Sequence, residues 1–235
     1  MLQELKEQVC EANLRLVREG LVTLTWGNVS GIDRNENLVV IKPSGVSYAE
    51  MKPEHMVVVS LKTGELVEGK LRPSSDTPTH RELYKAFRGI GGIAHSHSPY
   101  ATAWAQARKE IPVLGTTHAD HFYGRIPCTR VMKKKEIEDN YELNTGRVIT
   151  ERFSKLDPLE IPAVLVASHA PFAWGATVDE AVKNAVVLEQ IARMAMETLR
   201  VNPKSQSMSD ALLQKHFQRK HGPQSYYGQP NNPKK

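Results

Sequence analysis

The stretch GGIAHSHSPYATAWAQ, residues 91–106, carries two histidines one residue apart at the end of a short apolar run. The run IAH, residues 93–95, predicts a β-strand, and the small and apolar residues after the pair predict a helix. Side chains two positions apart on a strand project to the same side, so His95 and His97 should converge on one point. Neutral imidazole nitrogens are good ligands for a divalent metal, and a shared ion would explain this pair.

A third histidine, His169, ends the apolar run PAVLVASH, which predicts a second strand over residues 162–169. Two strand ends that carry His-x-His and His present a three-histidine face, which leaves metal positions open for a substrate. Asp76 lies at a predicted helix start, where N-capping and an approach to the metal are both open. We interpret His55 and His80 as structural histidines in exposed settings. The candidate metal residues are Asp76, His95, His97 and His169.

Three small polar segments are candidates for an anion site: TWGN at 25–28, KPSG at 42–45 and the serine pair at 74–75. They offer an ammonium, hydroxyls, an amide and backbone N–H groups near a helix start, which suits a phosphate. Each segment alone is typical of an ordinary turn, so the prediction depends on their convergence in the fold. The candidate substrate-binding residues are Gly27, Asn28, Lys42, Ser44, Gly45, Ser74 and Ser75.

A nucleotide-dependent reaction is not expected. The segment 89–94 fits G-x-G-x-x-A, but it follows a predicted helix and precedes a strand, the reverse of the dinucleotide-binding order. The chain contains no Walker A motif. Oxidation and reduction at a nicotinamide therefore have no support in the sequence.

Length and composition favour a single globular domain with a sizeable core. The chain has 235 residues with a net charge of +5, and much of the excess lies in an acid-free C-terminal segment. That segment is the sole support for an alternative, a basic nucleic-acid-binding protein with incidental histidines. Two cysteines form no disulfide framework, and we find no signal peptide or membrane-spanning run, so a cytoplasmic protein is expected.

The pattern of elements predicts a mixed α/β fold. Helices are expected at the N-terminus, over residues 75–87 and over residues 178–199, and a hairpin over residues 56–69. Between residues 133 and 160 we predict a helix without a functional interpretation. We expect one domain over residues 1–229 and a disordered tail over residues 230–235.

The combined motifs resemble the L-ribulose-5-phosphate 4-epimerases of the class II aldolase/epimerase superfamily. They extend over nearly the whole chain: TLTWGNVS, IKPSGV, PSSDTPTH, GGIAHSHS, GTTHAD, IPCTR, PFAWG and KHFQRKHGPQSYYGQ. The resemblance implies an α/β fold around a mostly antiparallel sheet flanked by helices. It also implies Zn²⁺ or another divalent metal such as Mn²⁺, and a homotetramer with active sites between subunits.

The resemblance also assigns roles residue by residue. The three histidines become metal ligands, with Asp76 as a nearby carboxylate, and the polar segments bind the sugar phosphate. Asp120 matches an acid/base carboxylate, Tyr227 an acid/base residue from a neighbouring subunit, and His216 an assisting residue. Two positions depart from the expected pattern: His121 stands in place of an aromatic residue, and Ala170 in place of glycine.

The implied reaction interconverts L-ribulose 5-phosphate and D-xylulose 5-phosphate in pentose catabolism of the L-arabinose or L-ascorbate type. Cleavage and re-formation of the C3–C4 bond by a retro-aldol route needs no nicotinamide, in keeping with the missing fingerprint. The alternative within the superfamily is a sugar-phosphate aldolase of the fuculose-phosphate type, which releases its two fragments. A second acid supplied by the YYGQ segment favours the epimerase.

Overall fold

The computed structural model describes residues 2–226. Seven strands of this region form one sheet in the order β4-β3-β2-β1-β5-β7-β6, and every adjacent pair is antiparallel. The strands are β1 Asn28–Asp33, β2 Leu38–Ile41, β3 Val57–Ser60, β4 Leu66–Glu68, β5 Gly92–His95, β6 Ala163–Leu165 and β7 Pro171–Gly175. The predicted antiparallel central sheet is confirmed.

Helices cover both faces of the sheet. They are α1 Gln3–Arg18, α2 Thr77–Ala86, α3 Pro99–Ala107, α4 Thr116–Ala119, α5 Lys134–Glu138, α6 Tyr141–Arg152, α7 Val178–Val201 and α8 Asp210–His221. Two short 3₁₀ turns, Tyr48–Glu50 and Pro53–His55, lie between β2 and β3. No helix within residues 2–226 is long and apolar enough to cross a membrane.

The central strand β1 shows how its side chains divide between the two helical layers. Gly31 leaves room for the close approach of α1 and α7, because a Cβ there would meet Leu5 and Val178 at 2.7 Å. Ser30 points to the opposite face, where its hydroxyl lies 2.7 Å from His80 Nδ1 and 2.9 Å from Tyr84 Oη on α2. Since side chains alternate along a strand, Asn28 shares the α2 face with Ser30.

Several element predictions are confirmed. The N-terminal helix, the strand before KPSG, the hairpin of β3 and β4, and the helix over 75–87 are all present. The strand that ends at His95, the helix after it and the long helix α7 are present as well. Val9, Leu16 and Leu188 are among the core residues that these elements bury.

Other predictions are wrong at particular residues. Asn28 begins strand β1 rather than closing a polar turn, and β6 ends at Leu165, so His169 lies in the hairpin between β6 and β7. His80 is fully buried rather than exposed. The sequence analysis missed β1, β7 and α8, and the region 133–160 holds two helices rather than one. The predicted domain end at 229 and the tail at 230–235 lie outside the described residues.

Candidate active site

The pairing register brings the first functional residues together. Asn28 on β1 is directly opposite His95 on β5, and His95 is opposite Phe172 on β7. Directly opposed residues share a face of the sheet, so all three side chains point toward α2. The rings of His95 and Phe172 stack at 4.1 Å between centroids and 17° between planes. This contact fixes the plane of the His95 imidazole.

The three predicted histidines form one cluster. A nitrogen from each of His95, His97 and His169 lies within 4.8 Å of the others, and their ring centroids are 4.9 to 5.1 Å apart. Burial, together with the two neighbouring imidazoles, lowers the pKa of His169 to about 3. Burial and His95 also lower the pKa of His97. His97 and His169 are therefore neutral at physiological pH, which is the form that binds metals.

The donor set fits a divalent metal. His95 Nδ1 is 2.9 Å from the Pro171 carbonyl oxygen, so this nitrogen donates its hydrogen there and Nε2 keeps its lone pair. Nδ1 of His169 is buried without a hydrogen-bond partner among the described residues. A single divalent ion could bind one nitrogen from each of the three histidines.

Asp76 stands beside the cluster without acting as an N-cap. It occupies the residue before α2, but its carboxylate forms no capping hydrogen bond. Instead Oδ2 accepts a hydrogen bond from Asn28 Nδ2 at 2.7 Å and lies 4.0 Å from His95 Nε2. Burial raises the pKa of Asp76, but His95, His80 and the Asn28 amide outweigh it and lower the pKa overall. The carboxylate is therefore ionised next to the histidines.

A cavity of about 340 Å³ opens over the cluster. Its wall includes three residues that sequence reasoning missed: Trp26, Tyr141 and Glu142. Trp26 is 52% exposed, and its ring centroid lies 6.2 Å from that of His97. Tyr141 and Glu142 begin α6, a segment with no motif that could have indicated a site. The full lining comprises Trp26, Gly27, Ser75, Asp76, His95, His97, Tyr141, Glu142 and His169.

The three polar segments converge next to this cavity. The segment 42–44 runs antiparallel to 72–74, because Ser44 N donates to Arg72 O at 2.9 Å and Ser74 N donates to Lys42 O at 3.0 Å. Asn28 Nδ2 also donates to Ser74 Oγ at 3.0 Å. Lys42 and Ser74 are buried, whereas Ser44, Gly45 and Ser75 are exposed. The convergence on which the anion-site prediction depended is present.

A second, larger groove of about 510 Å³ lies between α4 and the C-terminal half of α7. Apolar residues such as Leu114, Ile191 and Met194 form much of its wall. Only one histidine, His118, and one carboxylate, Glu197, lie among its lining residues, so it offers no metal-binding set. The smaller cavity over the histidines is the better candidate for chemistry.

Asp120 forms a separate polar cluster with α8. Arg219 donates to both carboxylate oxygens, from Nε at 3.0 Å and from Nη2 at 2.6 Å, and His216 Nδ1 is 3.0 Å from Oδ1. Lys220 Nζ lies 3.6 Å from Oδ2. Burial raises the pKa of Asp120, but these partners outweigh it and hold the pKa below its ordinary value. Asp120 is not among the residues that line the histidine cavity.

The remaining predicted residues have different outcomes. His216 lies beside Asp120, and its assisting role stays a prediction, whereas Tyr227 lies outside the described residues. His121 is kept neutral, since burial and nearby lysines lower its pKa to about 4. Ala170 is buried without a positive φ, so its backbone does not need a glycine. The positive φ of this hairpin occurs at Ser168, at 63°.

Glu189 on α7 anchors the helix that follows the His-x-His pair. Its carboxylate accepts hydrogen bonds from the Tyr100 and Ala101 backbone N–H groups, both at 2.9 Å, at the start of α3. Glu189→Ala should lower the free energy of unfolding by about 1 to 3 kcal/mol, because a buried and a partly buried donor lose their partner. Glu197→Ala, on the same helix, removes an exposed ion pair and should change it by less than about 0.5 kcal/mol. Urea unfolding of both variants measures the difference, and equal losses would contradict this role of Glu189.

The Asp120 cluster should make the docking of α8 sensitive to acid. A carboxyl whose pKa is lowered in the folded state stabilises the fold above its unfolded pKa of about 3.9 and loses this contribution as the pH falls. The difference in unfolding free energy between the protein and Asp120→Asn should therefore stay constant above about pH 5 and shrink below about pH 4. Urea unfolding of both proteins between about pH 3 and pH 7 measures this difference. A difference in unfolding free energy that does not change with pH would contradict a lowered pKa of Asp120 in the folded state.

Comparison with known proteins assigns the family. The family model for the class II aldolase and adducin N-terminal domain matches residues 7–196. This match covers most of the chain and includes the three histidines, the polar segments and Asp120. The chain belongs to the class II aldolase and adducin family.

Curated members of this family are similar to the chain over nearly its whole length. Two are named L-ribulose-5-phosphate 4-epimerase UlaF, from Salmonella paratyphi B and Salmonella typhi. Each is 56% identical over 228 residues, which cover 97% of this chain and 100% of the relative. The resemblance read from the motifs is confirmed.

Solved structures of class II aldolases share the fold. An L-fuculose 1-phosphate aldolase superposes with a TM-score of 0.77 at 24% identity, covering 92% of this chain and 95% of that chain. The L-fuculose 1-phosphate aldolase from Glaciozyma antarctica PI12 has a TM-score of 0.75 at 18% identity, covering 92% and 81%. At these identities the likeness supports the class II aldolase fold alone.

Proposed function

We propose that this class II aldolase family member is a metal-dependent L-ribulose-5-phosphate 4-epimerase. It would act as an isomerase that interconverts L-ribulose 5-phosphate and D-xylulose 5-phosphate. The observation that carries the proposal is a cavity over the three-histidine cluster that the candidate anion-binding segments adjoin, with Gly27 and Ser75 in its lining. Relatives that bear this enzyme name at 56% identity support it.

The reaction needs a route that avoids direct deprotonation at C4. The C4 hydrogen of a 2-ketopentose phosphate is not α to the C2 carbonyl, so its removal would leave an unstabilised carbanion. Retro-aldol cleavage of the C3–C4 bond instead gives the enediolate of dihydroxyacetone and glycolaldehyde phosphate. If the aldehyde rotates to present its other face, re-formation of the same bond inverts C4.

His95, His97 and His169 would hold the metal, with the Asp76 carboxylate beside them. Zn²⁺, or another divalent metal such as Mn²⁺, would supply a Lewis acid that stabilises negative charge on the substrate oxygens. The Pro171 carbonyl and the Phe172 ring orient His95, so this ligand is fixed before an ion binds. Asn28 holds the Asp76 carboxylate in place through its hydrogen bond.

The anion-binding wall would hold the phosphate of the substrate. The Lys42 ammonium and the amide and hydroxyl groups of the neighbouring segments are suited to a phosphate dianion. Their task is retention, because an epimerase must keep glycolaldehyde phosphate bound while it rotates. The residues proposed for this wall are Gly27, Asn28, Lys42, Ser44, Gly45, Ser74 and Ser75.

Two acid/base groups would serve the two faces of the aldehyde. One would take the proton from the C4 hydroxyl during cleavage, and the other would return a proton to the new alkoxide. We assign these roles to Asp120 and Tyr227, with His216 assisting Asp120. Because Asp120 does not line the cavity of its own chain, we propose that it acts in the cavity of a neighbouring subunit. The active enzyme would then be a homotetramer with active sites at subunit interfaces.

We further propose a pathway and a compartment for the enzyme. It would act in pentose catabolism of the L-arabinose or L-ascorbate type, in the cytoplasm. Cys10 and Cys128 are both free thiols, as expected in a reducing compartment. The domain would extend to residue 229 and so include Tyr227.

Product analysis separates the epimerase from the alternative, a fuculose-phosphate-type aldolase. The metal-loaded protein is incubated with L-ribulose 5-phosphate, and the products are identified by nuclear magnetic resonance. The proposal expects D-xylulose 5-phosphate without free glycolaldehyde phosphate. Free glycolaldehyde phosphate and dihydroxyacetone as the main products would establish the aldolase instead, and the absence of any product would overturn both.

A further inference from the structure

Tyr48 connects the separate segments of the anion-binding wall. It begins the 3₁₀ turn Tyr48–Glu50, three residues after the KPSG segment, and is 6% exposed. Its hydroxyl donates to the Trp26 carbonyl oxygen at 2.7 Å and approaches the Gly27 carbonyl oxygen at 3.1 Å. The two carbonyls belong to the residues directly before Asn28. One hydroxyl therefore links the 42–48 segment to the 25–28 loop.

The ring of Tyr48 also supports the Lys42 ammonium. Nζ of Lys42 lies 5.0 Å from the ring centroid, within the range of a cation–π contact. Lys42 is 2% exposed, and burial lowers its pKa. Within residues 2–226 its hydrogen bonds are two long ones, to Thr25 O at 3.4 Å and to Pro43 O at 3.3 Å. An ammonium has three donors, so this buried cation retains capacity for an anion.

The 25–28 loop needs contacts from outside to hold its conformation. Gly27 has a φ of +73°, and a Cβ there would meet His95 O and Val22 Cγ1 at 2.7 Å. A glycine in this conformation leaves the backbone flexible unless other contacts fix it. The Tyr48 hydroxyl supplies such a contact to the carbonyl groups of Trp26 and Gly27.

We infer that Tyr48 is a positioning residue for phosphate binding: its hydroxyl fixes the loop directly before Asn28, and its ring supports Lys42. The inference rests on the proposed function for the identity of the sugar phosphate, but not for the anion itself. A wall that is ordered before the ligand arrives binds it with a smaller loss of conformational entropy. Removal of the Tyr48 hydroxyl should therefore lower the affinity for phosphate and leave the metal ligands in place.

Tyr48→Phe tests the hydroxyl separately from the ring. The dissociation constant of inorganic phosphate for the metal-loaded protein, measured by calorimetry, should rise about three- to tenfold, the usual effect of losing one buried hydrogen bond. The KM for L-ribulose 5-phosphate should rise by a similar factor, with a smaller change in kcat. Free glycolaldehyde phosphate should appear during turnover, because the retained fragment escapes more often. Tyr48→Leu removes the ring as well and should weaken phosphate binding further.

Tyr84→Phe is the matched control. Tyr84 is also a buried tyrosine with a hydrogen-bonded hydroxyl, but its partner is Ser30 Oγ rather than the loop. This variant should bind phosphate within about twofold of the unmodified protein, at the same metal content. Unchanged phosphate affinity in Tyr48→Phe, or an equal loss in Tyr84→Phe, would overturn the inference.

The two proposals fail in different ways. If phosphate binding weakens in Tyr48→Phe but no epimerase activity is found in any preparation, the proposed function fails and the role of Tyr48 stands. If epimerase activity is present and phosphate affinity is unchanged in Tyr48→Phe, the role of Tyr48 fails alone. A protein that binds no phosphate at all would overturn the inference.

Discussion

His169→Asn should release the metal and lower the turnover of L-ribulose 5-phosphate by at least about a thousandfold. The loss corresponds to several kcal/mol of transition-state stabilisation, which is the usual contribution of a Lewis-acid metal. His169 lies in the β6–β7 hairpin and is the one histidine of the cluster outside the β5 segment. Two remaining imidazoles from a single strand end would hold an ion weakly. Metal content by atomic spectroscopy and turnover are measured on the same preparation.

His55→Asn is the control for His169→Asn. His55 lies in the second 3₁₀ turn and does not line the histidine cavity. The His55→Asn variant should keep its metal content and turnover within about twofold of the unmodified protein. If His169→Asn keeps a full equivalent of metal and normal turnover, the three-histidine site is not the catalytic one.

Asp120→Asn should lower kcat by about a hundred- to ten-thousandfold without loss of metal. This is the range for removal of a general acid/base group. Its pKa is held low by Arg219 and His216, so the native group is an ionised carboxylate that an amide cannot replace as a base. Asp210→Asn, an exposed change at the start of the same helix α8, is the matched control and should keep normal turnover. Full activity of Asp120→Asn would remove Asp120 from the mechanism.

Mixing the two inactive variants tests whether Asp120 serves a neighbouring subunit. In a hybrid of His169→Asn and Asp120→Asn chains, some interfaces combine an intact metal site with an intact Asp120 from the other chain. Random assembly of a closed ring should restore roughly a quarter of the sites. No recovery in hybrids would place Asp120 and the metal in the same chain's site.

The sequence predicted those parts of the site that local periodicity controls. His95 and His97 were expected to converge because side chains two positions apart on a strand project to the same side, and they do converge, although β5 ends at His95. The helix at residues 75–87 was predictable from its serine, proline and apolar spacing. For such features the backbone geometry leaves few alternatives.

The pairing of strands that are distant in the chain could not be predicted from the sequence. The strand β7 and its stacking of Phe172 on His95 depend on the register between strands that are distant in the chain. Tyr141 and Glu142 reach the cavity because α6 packs against α2, which no local pattern indicates. His80 was misjudged because its polar partner, Ser30, becomes its neighbour only when β1 packs against α2.

The role of Asp120 shows the same limit. The motif GTTHAD identified the carboxylate, but its clamp by Arg219 depends on the docking of α8, a helix that the sequence analysis did not predict. The separation of Asp120 from the histidine cavity became visible only in three dimensions. On this separation rests our proposal that Asp120 acts in the cavity of a neighbouring subunit.

The most direct test of the central claim is a coupled assay for D-xylulose 5-phosphate formed from L-ribulose 5-phosphate, before chelation, after chelation and after metal is added back. The account predicts activity that disappears with the chelator and returns with about one equivalent of Zn²⁺ or Mn²⁺ per chain. In the same cycle, the His169→Asn variant should show no epimerase activity after metal is added back. Epimerase activity that survives complete removal of the metal, or a metal-loaded protein that forms no D-xylulose 5-phosphate, would contradict it.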